Sequence, residues 1–240
     1  MSNILTIARK EFRSYFSSTI AYIFMVVFLV LTMLLFFELQ KFFVIGQATL
    51  RDFFGLVPIV FLFFVPATSM RMWAEERKLG TLEILMTLPV RDWEAVGGKF
   101  LAAFLFLVIT LALTFPLPIM VASLGDPDTG AMVGGYLGLV LLGATYLSIG
   151  LWISSLTENQ IVAFIVSAVA CLILFIIGVD IFLTALPKWI VPFLKGIALG
   201  SRFNSIERGV IDLRDVVYYL SMIGFFLFLN VRSVEARRGA

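Results

Sequence analysis

The sequence predicts an all-α polytopic membrane protein with six transmembrane helices, and three observations carry that prediction. The chain is 61% hydrophobic. Only 14% of its 240 residues are charged, where a soluble domain holds about 25%. The mean hydropathy of +1.04 resolves into six apolar runs, each near the length of about 20 residues that crosses a bilayer as a helix. Unpaired backbone is too costly in hydrocarbon for anything but helices or a closed barrel. A barrel would alternate apolar and polar residues in segments of about ten, and these runs are continuously apolar.

Residues 1–18 read as an amphipathic surface helix. Ile4, Leu5, Ala8, Phe12, Tyr15 and Phe16 share one face, with Thr6, Arg9, Lys10, Arg13 and Ser17 opposite. Such a helix lies along the inner membrane surface, basic side toward anionic headgroups. The apolar run that follows is too long for a signal peptide and has no clean small-residue cleavage site. The spans are 19–37, 53–70, 100–122, 132–153, 161–183 and 213–231. Pro58 and Pro66 in the second, and Pro116 and Pro118 in the third, predict kinks. Gly134 and Gly138 form a G-x-x-x-G that lets helices approach closely, within one bundle or between two chains.

Lys/Arg bias sets the orientation. With the N terminus in the cytoplasm, inner segments hold eleven Lys/Arg and outer segments seven. Both termini are therefore expected inside. In the outer region 184–212, the stretch 189–199 is too short to span and too apolar for a solvated loop. Pro187 and Pro192 punctuate it. It reads as a re-entrant or interfacial helix before span six. Asp212 can cap that span, and Asp215 falls in its first turn, where the helix dipole favours anions.

Local chemistry is largely excluded. The chain has no His, so it lacks the usual general base, proton shuttle and common metal ligand. The single Cys171 allows neither an internal disulfide nor a thiolate cluster. Gly97-Gly98-Lys99 lacks the preceding glycine and the hydroxyl of a phosphate loop. The spans are nearly free of charge. Glu38 and Asp180 sit near outer ends, where an acid can reach water; Asp180 has a gate or substrate contact as its other reading. No catalytic residue, metal, cofactor or nucleic-acid partner is expected of this chain.

Charge gathers instead in 71–99, which holds five Lys/Arg and five Asp/Glu. Arg71 to Lys78 should continue the second span out of lipid as a helix. Gly80 should break it. Thr81 is a plausible N-cap, with Glu83 in the first turn, for a short helix over 82–88 that Pro89 ends. Asp92 should start a further helix into span three. Leu82, Leu85, Met86 and Leu88 could face either the membrane or a partner.

The run E-E-R-K-x-G-T-L-E-x-L-x-x-x-P-V, Glu75 to Val90, followed by Gly98-Lys99, resembles the cytoplasmic loop of type-2 ABC exporter permeases. ISSLTENQIVA at 153–163, ERGVIDLRDVVYYLS at 207–221 and the N-terminal IARKEFRSYF resemble the GldF-like, gliding-motility-associated branch. The resemblance implies two permease chains, alike or different, bound to two cytoplasmic ATP-binding subunits that hold the ATP and Mg. It implies an ATPase-coupling interface at Glu75, Glu76, Arg77, Gly80, Thr81, Leu82, Glu83, Leu85 and Pro89. Thr157, Glu158 and Asn159 form a second contact. An outer gate is expected around Asp180, Trp189, Phe193, Arg208 and Asp212. An auxiliary membrane protein with a large outer domain is a further expected partner. The expected function is export of a lipid-like or hydrophobic substrate across a bacterial cytoplasmic membrane. The alternative is a non-transporting transducer that couples an ATPase to an envelope partner.

Overall fold

The computed structural model describes residues 3–40, 42–45, 47–82, 90–179, 187, 189–209 and 212–238. Among them every regular element is a helix. In order they are α1 (Asn3–Ser17), α2 (Thr19–Leu34, closing in a π-helical turn Leu35–Leu39), α3 (Phe42–Ile45), α4 (Arg51–Ser69), α5 (Arg71–Lys78) and α6 (Asp92–Ala112). Then come α7 (Pro116–Leu124), α8 (Thr129–Leu156), α9 (Gln160–Ile176), α10 (Val191–Ile197), α11 (Leu199–Glu207) and α12 (Leu213–Arg238).

Five helices among the described residues are long and apolar enough to cross a membrane: Thr19–Leu39, Arg51–Lys78, Asp92–Leu124, Thr129–Leu156 and Leu213–Ala236. The predicted fifth span is a shorter helix. α9 holds 17 residues, about 25 Å at a rise of 1.5 Å per residue, against a hydrocarbon core of about 30 Å. The end of that predicted span, from Asp180, lies outside the described residues.

The prolines act differently in the two spans that carry them. Pro58 and Pro66 stay inside α4 without breaking it. Near Pro66, Thr68 Oγ1 donates to the Val65 carbonyl at 2.8 Å and Ser69 Oγ to the same carbonyl at 3.1 Å. Pro116 instead starts a new helix. The chain turns through Leu113–Phe115, and Thr114 Oγ1 sits 2.9 Å from the Tyr136 hydroxyl. Proline at a first helical position loses no hydrogen bond, because that N–H has no intrahelical partner.

α8 is the centre of the bundle, in contact with α4, α5, α6, α9, α11 and α12. The G-x-x-x-G on it is occupied within the chain. A side chain at Gly138 would meet Phe203 and Ile206 of α11 at 3.1 and 3.0 Å, and one at Gly134 would meet the Ile206 carbonyl at 2.9 Å. Of the two readings the motif allows, packing inside one bundle is the one realised. The exposed faces of α2 and α9 carry Ile23, Val27, Val30, Ile165, Val169 and Ile173. Such surfaces need lipid or another apolar helix as their solvent.

α1 forms as predicted but does not simply lie in lipid. Ala8 and Tyr15 are buried against the bundle, while Leu5 stays 54% exposed. The reason is on α6. Gly98 leaves no room for a side chain, since a Cβ there would come within 2.8 Å of Ile7 and 3.0 Å of the Ile4 carbonyl. α1 uses that strip to seat itself on α6.

Candidate functional site: the inner elbow

Four elements meet where the spans leave the bilayer at the charged end: α1, α5, the first turns of α6, and the α8–α9 corner. At their centre is Lys99, 1% exposed. Its Nζ lies 2.7 Å from Glu76 Oε1 of α5 and 3.1 Å from Glu11 Oε1 of α1. It also sits 4.9 Å from the centroid of the Trp73 ring. A buried ammonium is tolerated only when paired, and two carboxylates with an aromatic face supply the pairing. One lysine thus joins three helices that are distant in sequence. Glu76 Oε2 and Trp73 Nε1 are buried there without a hydrogen-bond partner.

The second anchor of α1 is Tyr15. Its hydroxyl donates to the Thr68 carbonyl at 2.8 Å and lies 3.2 Å from Met72 Sδ. Its ring stacks on Phe106 at 4.8 Å, and the Arg71 guanidinium lies 5.3 Å from the ring centroid. Burial pushes the Tyr15 hydroxyl well above its ordinary pKa, so it remains a proton donor. At the start of α1, Asn3 Nδ2 donates to Glu94 Oε2 at 3.0 Å. The same carboxylate accepts the Arg91 N–H at 2.9 Å at the start of α6.

α5 follows α4 at Met70, which keeps helical backbone, and α8 satisfies the polar groups there. Ser154 Oγ accepts the N–H groups of Trp73 and Ala74, both at 3.2 Å, and donates to the Met70 carbonyl at 2.7 Å. A serine from another helix does the work of an N-cap. One turn on, Arg77 Nη2 meets Glu158 Oε1 at 2.8 Å and Nη1 donates to the Ser155 carbonyl at 3.3 Å.

The predicted coupling residues divide accordingly. Glu76 and Arg77 turn inward to partners in this chain. Glu75 is exposed. Gly80 ends the helix in the left-handed region at φ +68, where a side chain is strained. Thr81, the expected N-cap, already has helical backbone, and its hydroxyl donates back to the Glu76 carbonyl at 3.2 Å. Leu82 is half-buried against the core. Glu83, Leu85 and Pro89 lie outside the described residues. In the second contact, Asn159 caps α9 by accepting the Ile161 N–H at 2.9 Å, Thr157 Oγ1 accepts the Asn159 N–H at 3.1 Å, and Glu158 holds Arg77.

The outer set is not brought together. Asp180 lies outside the described residues. Trp189 and Phe193 are 80% and 68% exposed. Arg208 is exposed, and Asp212 accepts the Arg214 N–H at 2.9 Å at the start of α12. No hydrogen bond or ion pair joins these four described residues to one another. The helix expected over 189–199 is really two. α10 buries none of its residues, whereas α11 buries Leu199, Gly200, Phe203 and Ile206. The pair that matters at this end is Arg202 with Asp215, at 2.9 Å. Tyr219 donates to the Leu199 carbonyl at 2.8 Å and Tyr218 to that of Ile197.

Glu11, Ser154 and Arg202 were not singled out from sequence, and Lys99 only as part of a motif. One signal was available. Glu11 is the only acid in α1 and falls between Ala8 and Tyr15, on the stripe that proves to be buried.

Comparison with known proteins bears on this arrangement. Two curated relatives, each the "Probable multidrug ABC transporter permease YbhR", come from Escherichia coli strains K12 and O157:H7. Each is 35% identical over 92 residues, a stretch that is 38% of this chain and 24% of the relative's length. A family model described as "ABC-2 family transporter protein" matches residues 5–204, from α1 through most of α11. The match takes in the elbow and all but one of the spanning helices, and the chain therefore belongs to the ABC-2 family of transporter proteins.

Proposed function

We propose that this chain is the permease subunit of an ATP-driven exporter and that the inner elbow is where it receives work from a separate ATP-binding subunit. The observation that carries the reading is the Lys99 cluster. Its contacts at 2.7 and 3.1 Å tie α5 and α1 to the base of α6, so a push on any of the three is shared by spans two and three. A loose connector would dissipate the push. The exposed Glu75 and the Gly80 break then offer the ATPase a surface on a stiff base.

In this reading both termini are cytoplasmic and α9 is the inner part of the fifth of six spans. α10 and α11 form the re-entrant outer region, and two permease chains pair. The chain binds no nucleotide itself; ATP and Mg belong to the partner. The motifs at 153–163 and 207–221 favour the GldF-like branch, with an auxiliary outer-domain protein as a further partner in a bacterial inner membrane. The near-absence of charge in the spans favours a lipid-like or hydrophobic cargo. The YbhR relatives carry a multidrug description, which is compatible with such cargo.

The test is ATPase stimulation in reconstituted vesicles that contain the permease and its co-purified ATP-binding subunit. Gly80→Pro and Glu83→Lys are expected to insert normally and to lose stimulation. Normal stimulation in both would overturn the elbow as the seat. Cargo flux in the same vesicles separates an exporter from a transducer that moves nothing.

A further inference from the structure

Two cavities, one beside the Lys99 cluster and one deeper in the bundle, lie along one seam. The first, about 370 Å³, opens between the end of α1 and α5 and is lined by Lys10, Ser14, Ser17, Ser18, Arg71 and Glu75, with Glu11 and Glu76 at its back. The second, about 270 Å³, is an apolar groove deeper in the bundle, between α2 and α4 with Phe164 of α9 at its edge. Helical spacing joins them. On α4–α5 the lining positions are Val60, Phe63, Phe64, Ala67, Arg71 and Glu75, a continuous i, i+3, i+4 stripe. On the other side Ser17 and Ser18 line the first cavity at the junction of α1 and α2, and Phe24, Val27, Phe28 and Leu31 of α2 line the second at i, i+3, i+4 spacing. From Arg71 to Val60 is eleven residues, about 16 Å of helix. That matches one leaflet, half of a hydrocarbon core of about 30 Å.

From this we infer that the seam binds one inner-leaflet phospholipid, headgroup in the polar cavity and an acyl chain in the groove. Charge selects the class. The cations at or behind the cavity are Lys10, Arg71 and Lys99, and the carboxylates are Glu11, Glu75 and Glu76. Three against three leaves no net charge, which disfavours an anionic headgroup and suits a zwitterion. Glu11 and Glu76 are already held by Lys99. Lys10, Arg71 and the Ser14 and Ser18 hydroxyls are left for a phosphodiester, the Ser17 hydroxyl being held by the Ser14 carbonyl at 3.0 Å, and Glu75 for an ammonium. Arg71 is held in place by Ser18 Oγ at 3.2 Å and by the Tyr15 ring. An ethanolamine headgroup supplies a phosphodiester and an ammonium a few bonds apart. The cavity shares Glu75 with the proposed ATPase seat and borders the Lys99 cluster, but lipid retention is read without nucleotide or ATPase and stands whether or not that reading holds.

Native mass spectrometry of the full 240-residue chain in mild detergent tests it, with no nucleotide or ATPase present. Added palmitoyl-oleoyl phosphatidylethanolamine should give one retained lipid per chain. It should outcompete phosphatidylglycerol and diacylglycerol of the same tails. Glycerophosphoethanolamine, the headgroup without tails, should not displace it. Arg71→Gln should weaken retention about tenfold by removing a charge-assisted contact to phosphate. Val27→Trp, at a half-exposed position on the groove, should do the same by filling it, and unchanged helicity of this variant separates the effect from misfolding. Equal retention of all three lipids, or unchanged retention in both variants, would overturn the inference. So would loss of dimerisation in Val27→Trp with lipid occupancy unaltered, because a second copy of the chain would then be what fills the groove.

Discussion

The two ends of the bundle fasten a short helix to α8 and its neighbours with the same kinds of contact in different proportion. At the charged end α1 also fits a glycine, Gly98, but is held chiefly by charge and hydrogen bonds: Lys99 between two carboxylates, Tyr15 on a carbonyl, Asn3 on Glu94. At the other end α11 also accepts a tyrosine, Tyr219, on the Leu199 carbonyl, but is fitted chiefly by shape, with Phe203 and Ile206 set against Gly134 and Gly138. Its ion pair, Arg202 with Asp215, is part-buried and lies to one side. The difference follows from what each end does when its contacts break. A shape-fitted helix slides or stays. A charge-fastened helix has discrete partners to lose and regain, which fits the proposal that this end takes up a stroke and returns to the same place.

The largest expected effect tests the inner fastening. Lys99→Met strands two part-buried carboxylates and should destabilise the protein by about 3–5 kcal/mol, the usual cost of breaking a buried ion pair. Thermal unfolding in detergent reads it, and earlier proteolysis within residues 1–17 should accompany it. Combining Lys99→Met with Glu11→Gln and Glu76→Gln should recover much of the loss. No recovery would mean that Lys99 serves packing and not charge. The matching outer substitution, Gly138→Leu, should cost about 1–3 kcal/mol through overpacking. Unlike Lys99→Met, it should leave proteolysis of residues 1–17 unchanged. Ser154→Ala orphans two buried amides and should cost about 1–3 kcal/mol, visible as faster hydrogen exchange at Trp73 and Ala74. The smallest effect is Glu158→Gln. Its carboxylate is 66% exposed, so the loss should stay within about 1 kcal/mol and shrink further in high salt.

What could be read from sequence divides along physical lines. The spans were legible because hydrocarbon imposes a length and a composition on every crossing helix. The breaks at Gly80 and before Asp92 were legible because backbone geometry and capping are local. Contacts between segments were not. Glu76 was expected at the ATPase interface, and its partner Lys99 lies 23 residues away, while Thr81 looked like an N-cap because its backward bond to Glu76 has no sequence signature. A helix, α10, does form within 189–199, but the helix packed into the bundle is α11, which begins where that stretch ends. Average apolarity does not register Gly134 and Gly138, which receive α11 rather than α10.

Ser154 also sets a mechanical ratio. It grips α4–α5 at Met70, with 19 residues of α4 on one side and 8 of α5 on the other. These are arms of about 28 and 12 Å. If the rod turns about that grip without bending, a displacement of 1 Å at Lys78 becomes more than 2 Å at Arg51. A small stroke at the charged end would thus be amplified at the far membrane surface, with the gain fixed by where along the rod one serine sits.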